Sequence, residues 1–511
     1  MKKNETIIPR LTNGEIAAQK IKKQQAEAEL RAINELEGLV PIHRPSLPNC
    51  KCPYETIEEE RAEREEAVSE QLRIMKAYLP ILLKRLSKIK DPRNPKKCKH
   101  KMTVIMIYGI LTFVFQMSSR REANQEMTRP MFMENLLLYF PELKDLPHND
   151  TLMRLLAKIE VDNIEAAHLE LIRSFIKKKK FRRYLIDNCY PVAIDGTQKF
   201  VRDAVWSEEC LERKVKGSKD DEDKQYYVYV LEANLAFHNG MTIPFMSEFL
   251  NYAEGDTDKK KQDCETKAFH RLADRIKKEF PRLKIMVLLD GLYPNGPVME
   301  HCLKNKWQFM IVLKDGSLSN VWKEYEALKE LEKCNKIKMK WGNRKQVFQW
   351  VNEIDYTYGE NNKKSIILHV VTCEETWKEV DSTGEIKIKT SRHAWISSEP
   401  LKQSNVNERC NLGARSRWGI ETGILIEKKH GFCYEHCFSY NWNAMKGYHY
   451  LMRIGHLFII LAQYSECLAK KVKQLGLRGF VRFIRETIAS PWLEHEMVIK
   501  RLNRNFQMRL V

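Results

Sequence analysis

The chain has 511 residues, more than one hydrophobic core usually supports, so several domains are expected. Its 87 Lys and Arg against 68 Asp and Glu leave a formal net charge of +19, which points to a polyanionic partner, nucleic acid before a membrane surface. The longest apolar run, residues 104–115, is too short to cross a bilayer and reads as a buried helix. No apolar stretch follows Met1-Lys2-Lys3, so no secretory signal is expected. A cytoplasmic location follows, with the 13 cysteines reduced.

Residues 1–55 read as a polar arm, with a solitary helix over 15–37 and a flexible joint across the proline-containing stretch 41–48. Thr56-x-x-Glu59 is a capping box that starts a long charged helix toward Lys76. Asp91-Pro92-Arg93-Asn94-Pro95 breaks the helical pattern, and the basic cluster Lys96, Lys97, Lys99, His100 and Lys101 follows. A buried helix over 104–117 ends in Ser118-Ser119-Arg120-Arg121. The next two helices, 131–139 and one capped by Asn149 or Asp150, flank a tight turn. They form either a DNA-reading helix-turn-helix or part of an ordinary helical bundle. The net charge needs a site, which favours DNA contact here, with Arg120 and Arg121 as candidates. The run Lys177-Lys178-Lys179-Lys180-Phe181-Arg182-Arg183 closes this region. Such runs are usually solvated faces, but this one immediately precedes a strand that leads to Asp195, which makes Lys179 and Arg182 candidates for phosphate contact. Cys50-Lys51-Cys52, Cys98-Lys99-His100 and Cys433-x3-Cys437 lack the paired elbows of a zinc site, so ordinary thiols are expected.

From Tyr190 the pattern changes to strands. Tyr190-Pro191-Val192-Ala193-Ile194-Asp195-Gly196 reads as a strand delivering a carboxylate at a turn. A charged loop over 214–224 precedes strands at 226–237 and 241–249, joined by the hairpin signal Asn239-Gly240. A helix over 263–280 leads to Leu283-Lys284-Ile285-Met286-Val287-Leu288-Leu289-Asp290-Gly291, a second buried strand ending in Asp-Gly. Three antiparallel strands, a helix and then the Asp290 strand make a mixed sheet. A helix over 298–304 and a strand over 309–313 extend the sheet, and Glu248 and Glu254 read as supporting residues rather than metal ligands. Strand patterns at 345–354, 365–372, 385–389 and 392–396 make a mostly β insertion. Its Trp341, Trp350, Trp377 and Trp395 are more often core than base-stacking residues.

The last motif is Arg417-Trp418-Gly419-Ile420-Glu421, continuing to Lys428. On a helix Arg417 and Glu421 share a face, and Lys428 returns to it almost two turns later. Trp418, Ile420, Ile424, Leu425 and Ile426 supply the surface that presses the helix onto a core. An Arg-x3-Glu pair alone is also a common surface salt bridge. Two strand-end Asp-Gly pairs followed by a Glu-bearing helix are how three carboxylates from distant positions converge on a metal. A helix over 443–465 then packs on the sheet, and 472–509 forms a basic tail.

Asp195-Gly196-Thr197, Asp290-Gly291 and the Arg417, Glu421 and Lys428 spacing resemble the DDE transposases of bacterial insertion sequences. They are similar to the class with a Tyr-x2-Arg-x3-Glu-x6-Lys signature, although Ala414 stands at the tyrosine position. Ser118-Ser119-Arg120-Arg121-Glu122-Ala123-Asn124 and Leu146-Pro147-His148-Asn149-Asp150-Thr151-Leu152 resemble the amino-terminal part of such enzymes, and the resemblance spans residues 75–465. It implies an α/β fold: an RNase H-like mixed sheet with a β-rich insertion, preceded by an α-helical DNA-binding region. The implied domains are the arm 1–55, the helical region 56–185, the catalytic domain in two parts at 186–335 and 401–465, the insertion 336–400, and the basic helical tail 466–511. It implies that Asp195, Asp290 and Glu421 hold two Mg²⁺ ions, with Mn²⁺ as a substitute and Asp195 as the bridging ligand. Arg417 and Lys428 would hold phosphates. The implied reaction cleaves DNA at terminal inverted repeats and transfers the 3'-hydroxyl ends to target DNA, by a homodimer on paired ends in the bacterial nucleoid. A metal-dependent nuclease on the same fold, or a transposase-derived DNA-binding protein without catalysis, remain the alternatives.

Overall fold

The computed structural model describes residues 12–40, 47, 49, 51–215, 224–251 and 263–511. The chain divides into two units, one built from Met1–Ser46, Pro294–Gly296 and Met310–Cys410, the other from Leu47–Tyr293, Pro297–Phe309 and Asn411–Val511. Glu254, much of the charged loop after β2, Cys50 and most of the stretch 41–48 lie outside the described residues.

Helix α1 (Asn13–Leu36) begins at Thr12, whose hydroxyl accepts from Glu15 N while Glu15 accepts from Thr12 N at 2.7 Å. It is not solitary. Within its unit Ala26 and Leu39 are buried, and Glu37, just past the helix, pairs with Lys345 at 2.6 Å and Lys378 at 3.3 Å. Helix α2 (Ile57–Leu86) has only half of the expected capping box. Thr56 accepts from Glu59 N, but the Glu59 carboxylate takes the Glu55 N–H instead. It runs on through Pro80, well past Lys76, because Val68, Leu72, Met75, Leu79 and Leu82 bury one face.

Helices α3 (Met102–Val114), α4 (Arg120–Met127), α5 (Pro130–Tyr139), α6 (Asn149–Leu156) and α7 (Asp162–Lys177) complete the helical region. The pair α5 and α6 does not stand free as a reading head. Asn149 at the start of α6 is fully buried and hydrogen-bonded to Tyr108 and Tyr448 hydroxyls at 3.3 and 2.6 Å. The cap is His148, whose ring accepts from Asp150 N, not Asn149 or Asp150. The bundle interpretation describes this packing.

Strands β1 (Tyr190–Arg202), β2 (Leu211–Lys214), β3 (Lys224–Ala236) and β4 (Thr242–Phe249) follow, then α8 (Glu265–Glu279) and β5 (Ile285–Leu289). β1 pairs antiparallel with β3 on one side and parallel with β5 on the other, while β3 takes β2 along its first half and β4 along its second. The β3–β4 turn is the expected one: Gly240 has φ +88° and Asn239 Oδ1 accepts from Met241 N. β1 departs from expectation. It does not turn at Asp195-Gly196 but continues to Arg202 with a bulge between Gln198 and Phe200, since its pairing with β3 outlasts its pairing with β5.

Helix α9 (Gly296–Lys304), β6 (Gln308–Val312), α10 (Ser319–Leu328), β7 (Lys336–Trp341), β8 (Arg344–Tyr358), β9 (Lys364–Val380) and β10 (Ile386–Ser397) come next. Met310, Ile311 and Val312 pair antiparallel with β10, which continues through β9 and β8 to β7. The two short strands expected at 385–389 and 392–396 are one strand. Trp350 and Trp395 are 2% and 4% exposed and belong to the core of this unit. Trp377 is instead covered by the Arg344 guanidinium at 4.1 Å.

Helices α11 (Trp418–Lys429), α12 (Trp442–Gln463), α13 (Ala469–Ile488) and α14 (His495–Leu502) close the chain. α12 is the buried axis of its unit, touching α3, α6, α7 and β4. Residues 466–511 are no separate tail. α13 and α14 pack on α2, with Arg501 bound to the buried Glu65 at 3.0 Å, and Glu466 N donates to Arg509 O. No helix among the described residues is long and apolar enough to cross a membrane.

Candidate active site

The parallel pair β1 and β5 sets two of the three carboxylates. Ala193 lies beside Leu288, and two residues further on the strands reach Asp195 and Asp290. Neighbouring strands are about 4.8 Å apart, so equal offsets place the two acids side by side. Asp290 closes β5 by accepting from Leu292 N at 2.8 Å, and Asp195 accepts from Gly196 N at 3.0 Å.

Helix α11 supplies the third. A Cβ on Gly419 would meet Thr242 Oγ1 at 2.7 Å, and one on Gly423 would meet Thr242 Cγ2 at 3.2 Å. These two glycines, one turn apart, let α11 lie directly on the start of β4. Glu421, between them in sequence, projects from the other side with its side chain 52% exposed. Arg417, almost buried, donates to Glu421 at 2.7 Å. Lys428 donates to Gln198 O of β1 at 2.9 Å and pairs with Glu435 at 3.2 Å.

The charges register the convergence. The Asp195 carboxyl is pushed up to about 6, by burial first and by the charges of Glu421 and Asp290, against the downward pull of Arg417. Among the described residues no three His, Cys, Asp or Glu side chains stand close enough to hold a metal ion as they are placed. Glu421 reaches Arg417 instead. By donor chemistry the set suits a hard divalent cation, since it offers carboxylate oxygens whose mutual repulsion a cation relieves.

Sequence reasoning missed Glu265. Its carboxylate accepts from Tyr229 at 2.6 Å and Tyr293 at 3.0 Å, and a Cβ on Gly196 would meet its Cδ at 2.6 Å. Burial and the charges of Glu265, Asp195 and Asp290 raise the Tyr293 phenol. An acid at the first position of a helix looks like dipole compensation, so no spacing signal exposes it. Glu248 is a structural acid, bound by Arg271 and Arg275, both at 2.7 Å.

The faces of α11 also differ from expectation. Ile420 and Ile424 are buried, but Trp418 and Leu425 are 47% and 53% exposed, and Glu427 faces inward at 1%. Arg453 of α12 grips Glu427 at 3.1 Å and Glu232 at 3.2 Å, and His456 adds a contact to Glu427 at 2.8 Å. Glu232 is the cross-strand partner of Asp195. Burial alone would raise the Glu427 carboxyl, yet Arg453 and His456 hold it below its usual range, whereas burial leaves Glu232 raised.

The remaining basic candidates do not gather here. Arg120 pairs with Asp150 at 2.9 Å and Arg121 is exposed beside it in a shallow groove that His148 also lines. Lys179 and Arg182 are exposed. Their run does not border the carboxylates. Lys180 and Arg183 hold the backbone of Met508 and Leu510, and Tyr184 packs on Phe237 beyond the far end of β3. Phe237 is five residues from Glu232, roughly 16 Å of strand away from Asp195's partner.

No curated protein matches the chain. A family model described as DDE_Tnp_1-associated matches residues 83–172, a span that holds α3 to α6, the Ser118-Ser119-Arg120-Arg121 stretch and the Asn149 turn. That match over the helical region points to the DDE transposases.

Proposed function

We propose that the chain is a DDE transposase that binds transposon ends and cleaves and joins DNA phosphodiesters with divalent metal. The observation that carries the reading is that the paired strands β1 and β5 lead to Asp195 and Asp290 two residues beyond their last partners, with Asp195 also feeling the charge of Glu421 from α11. The sheet order β4, β3, β1, β5, three antiparallel strands with the fourth joined in parallel through α8, supports an RNase H-like catalytic domain. The family match over the helices preceding it supports the same assignment.

Asp195, Asp290 and Glu421 would hold two Mg²⁺ ions, or Mn²⁺ in their place, with Asp195 as the ligand common to both. Bound there, the metals supply activation of the attacking oxygen and stabilisation of the leaving one. Glu421 must exchange its Arg417 contact for this duty, and its half-exposed side chain has room to turn. Arg417, released, presents its guanidinium to the phosphate, and Lys428 holds the next stretch of backbone as a point charge. No covalent enzyme–DNA intermediate is needed. The same arrangement serves a water in the first step and a 3'-hydroxyl in the second, on terminal repeats and then target DNA, with a homodimer pairing the ends.

The test incubates the full chain with Mg²⁺, supercoiled target and duplexes carrying the repeats that flank its gene. Joined products are expected. Nicked ends without joining would leave a nuclease, and intact DNA would leave neither.

A further inference from the structure

A groove of about 710 Å³ opens beside Lys428, lined by α13, the start of α4 and the loop after α11. Five cations line it against the single carboxylate Glu122. Lys428 and Lys429 come from α11, and Arg478, Arg482 and Arg485 form one stripe on α13 at i, i+4 and i+7. Glu122 is occupied by Arg485 at 3.0 Å, and the two lysines share Glu435. Among the described residues Arg482 pairs with the exposed Glu486 alone, at 3.8 Å. Arg478 is exposed and has no ion-pair partner among the described residues. Among the described residues three carboxylates thus answer five cations, which leaves the groove net positive.

A second feature points to an anion. Gln116, at a left-handed φ of +52°, lines the groove with its amide Nε2 buried and without a hydrogen-bond partner among the described residues. Gly431 passes so close that a Cβ there would meet Gln116 Oε1 at 2.4 Å, which leaves the floor bare. A buried unpaired donor is destabilising unless a ligand meets it. Lys428, at one end, is bound to β1 three residues beyond Asp195. The Lys428 end of the groove is thus tied to the strand that carries Asp195, about 10 Å along it from that carboxylate.

We infer that this groove carries the phosphodiester backbone of one DNA strand running away from the cleavage site, with Arg478 and Arg482 as phosphate contacts and the Gln116 amide donating to a phosphate oxygen. This rests on the reading of the chain as a DNA-cleaving enzyme and assigns a binding role to α13, which lies outside the stretch resembling transposases. Phosphate contacts carry no sequence information but steepen the salt dependence, by roughly 0.9 in log–log slope per contact.

The experiment measures DNA binding against salt by fluorescence anisotropy, using the full chain with Glu421→Gln so that no cleavage intervenes. Added Arg478→Ala and Arg482→Ala are expected to lower the slope by about 2 and weaken binding roughly tenfold, alike for repeat and unrelated duplexes. Lys470→Ala with Lys473→Ala, equal in charge and exposed on the same helix outside the groove, is expected to leave the slope unchanged. An unchanged slope in the arginine pair, or an equal loss in the lysine pair, overturns the groove while leaving the DNA reading intact. Failure of the Glu421→Gln parent to bind DNA removes both. Gln116→Leu, which keeps the shape and deletes the donor, should weaken binding without altering the slope, and tighter binding would contradict the amide contact.

Discussion

At the scale of single residues the site depends on a missing side chain. Gly196 follows Asp195 and lies against Glu265 and Tyr229, where a Cβ would come within 2.6 Å of both. Glu265 cannot swing aside cheaply, because two tyrosine hydroxyls hold it. Gly196→Ala should therefore cost about 1–3 kcal/mol in urea unfolding and displace Asp195 enough to depress cleavage. Asp195 itself gives a pH signature. Its carboxyl takes up a proton near pH 6 in the fold, against 3.8 ordinarily. The folded chain thus binds a proton the unfolded chain has released, so this group favours the fold most below its ordinary value and that contribution is lost as pH climbs through about 6. Urea titrations across that window should show stability of the metal-free protein falling with pH, and Asp195→Asn should flatten the fall. A rise in stability attributable to Asp195 would contradict the burial and repulsion described above. The Asp-Gly pairs were legible as carboxylates on buried strands. That β1 would run straight through Asp195 was not, since Asp-Gly is ordinary turn chemistry and only pairing with β3 overrides it.

At the scale of elements, the Glu421 helix is fixed by a buried clamp. Arg453 of α12 joins Glu427 of α11 to Glu232, the neighbour of Asp195 across the sheet. Removing one partner of a buried ion pair is far worse than never having it, because the other charge is stranded. Arg453→Met should cost about 3–5 kcal/mol in unfolding free energy, and adding Glu427→Gln should recover part of it. A cost within the range of surface substitutions would remove the clamp. Arg417, Glu421 and Lys428 share a helical face by spacing alone, and the 3.6-residue period is reliable for that, with Arg417 standing at the cap of α11. Spacing does not say which side faces inward. Trp418 and Leu425 look like core by type, yet the close approach at Gly419 and Gly423 turns the helix so that Glu427 is buried. A buried glutamate whose partners, Arg453 and His456, both lie on α12 has no local signal, because its compensation is entirely tertiary.

At the scale of the molecule, residues 466–511 belong to the same unit as the helical region rather than trailing from it. Buried Phe480, Val481, Ile484 and Ile488 of α13 and Val498 of α14 pack among α2, α5 and α12. Deleting residues 469–511 should expose that surface and yield aggregated or protease-sensitive protein, as limited proteolysis would show; a soluble, resistant product would restore the tail description. The arm likewise has a place, with α1 packed on β9 in the β-rich unit. Both misreadings share a cause: polar, strongly helical termini look independent in sequence, because their apolar faces are narrow and their partners lie hundreds of residues away. The β-rich stretch itself was legible from alternation, though not the joining of its last two segments into β10.

The claim on which the rest depends is that Asp195, Asp290 and Glu421 act as one metal-holding set. The most direct measurement compares Mn²⁺ binding and Mg²⁺-dependent DNA cleavage in the full chain with those in Asp195→Asn, Asp290→Asn and Glu421→Gln, with DNA binding measured alongside. The account predicts that each substitution alone brings cleavage down to the protein-free level and weakens Mn²⁺ binding, while the protein still binds DNA. Cleavage that survives any one of the three contradicts it.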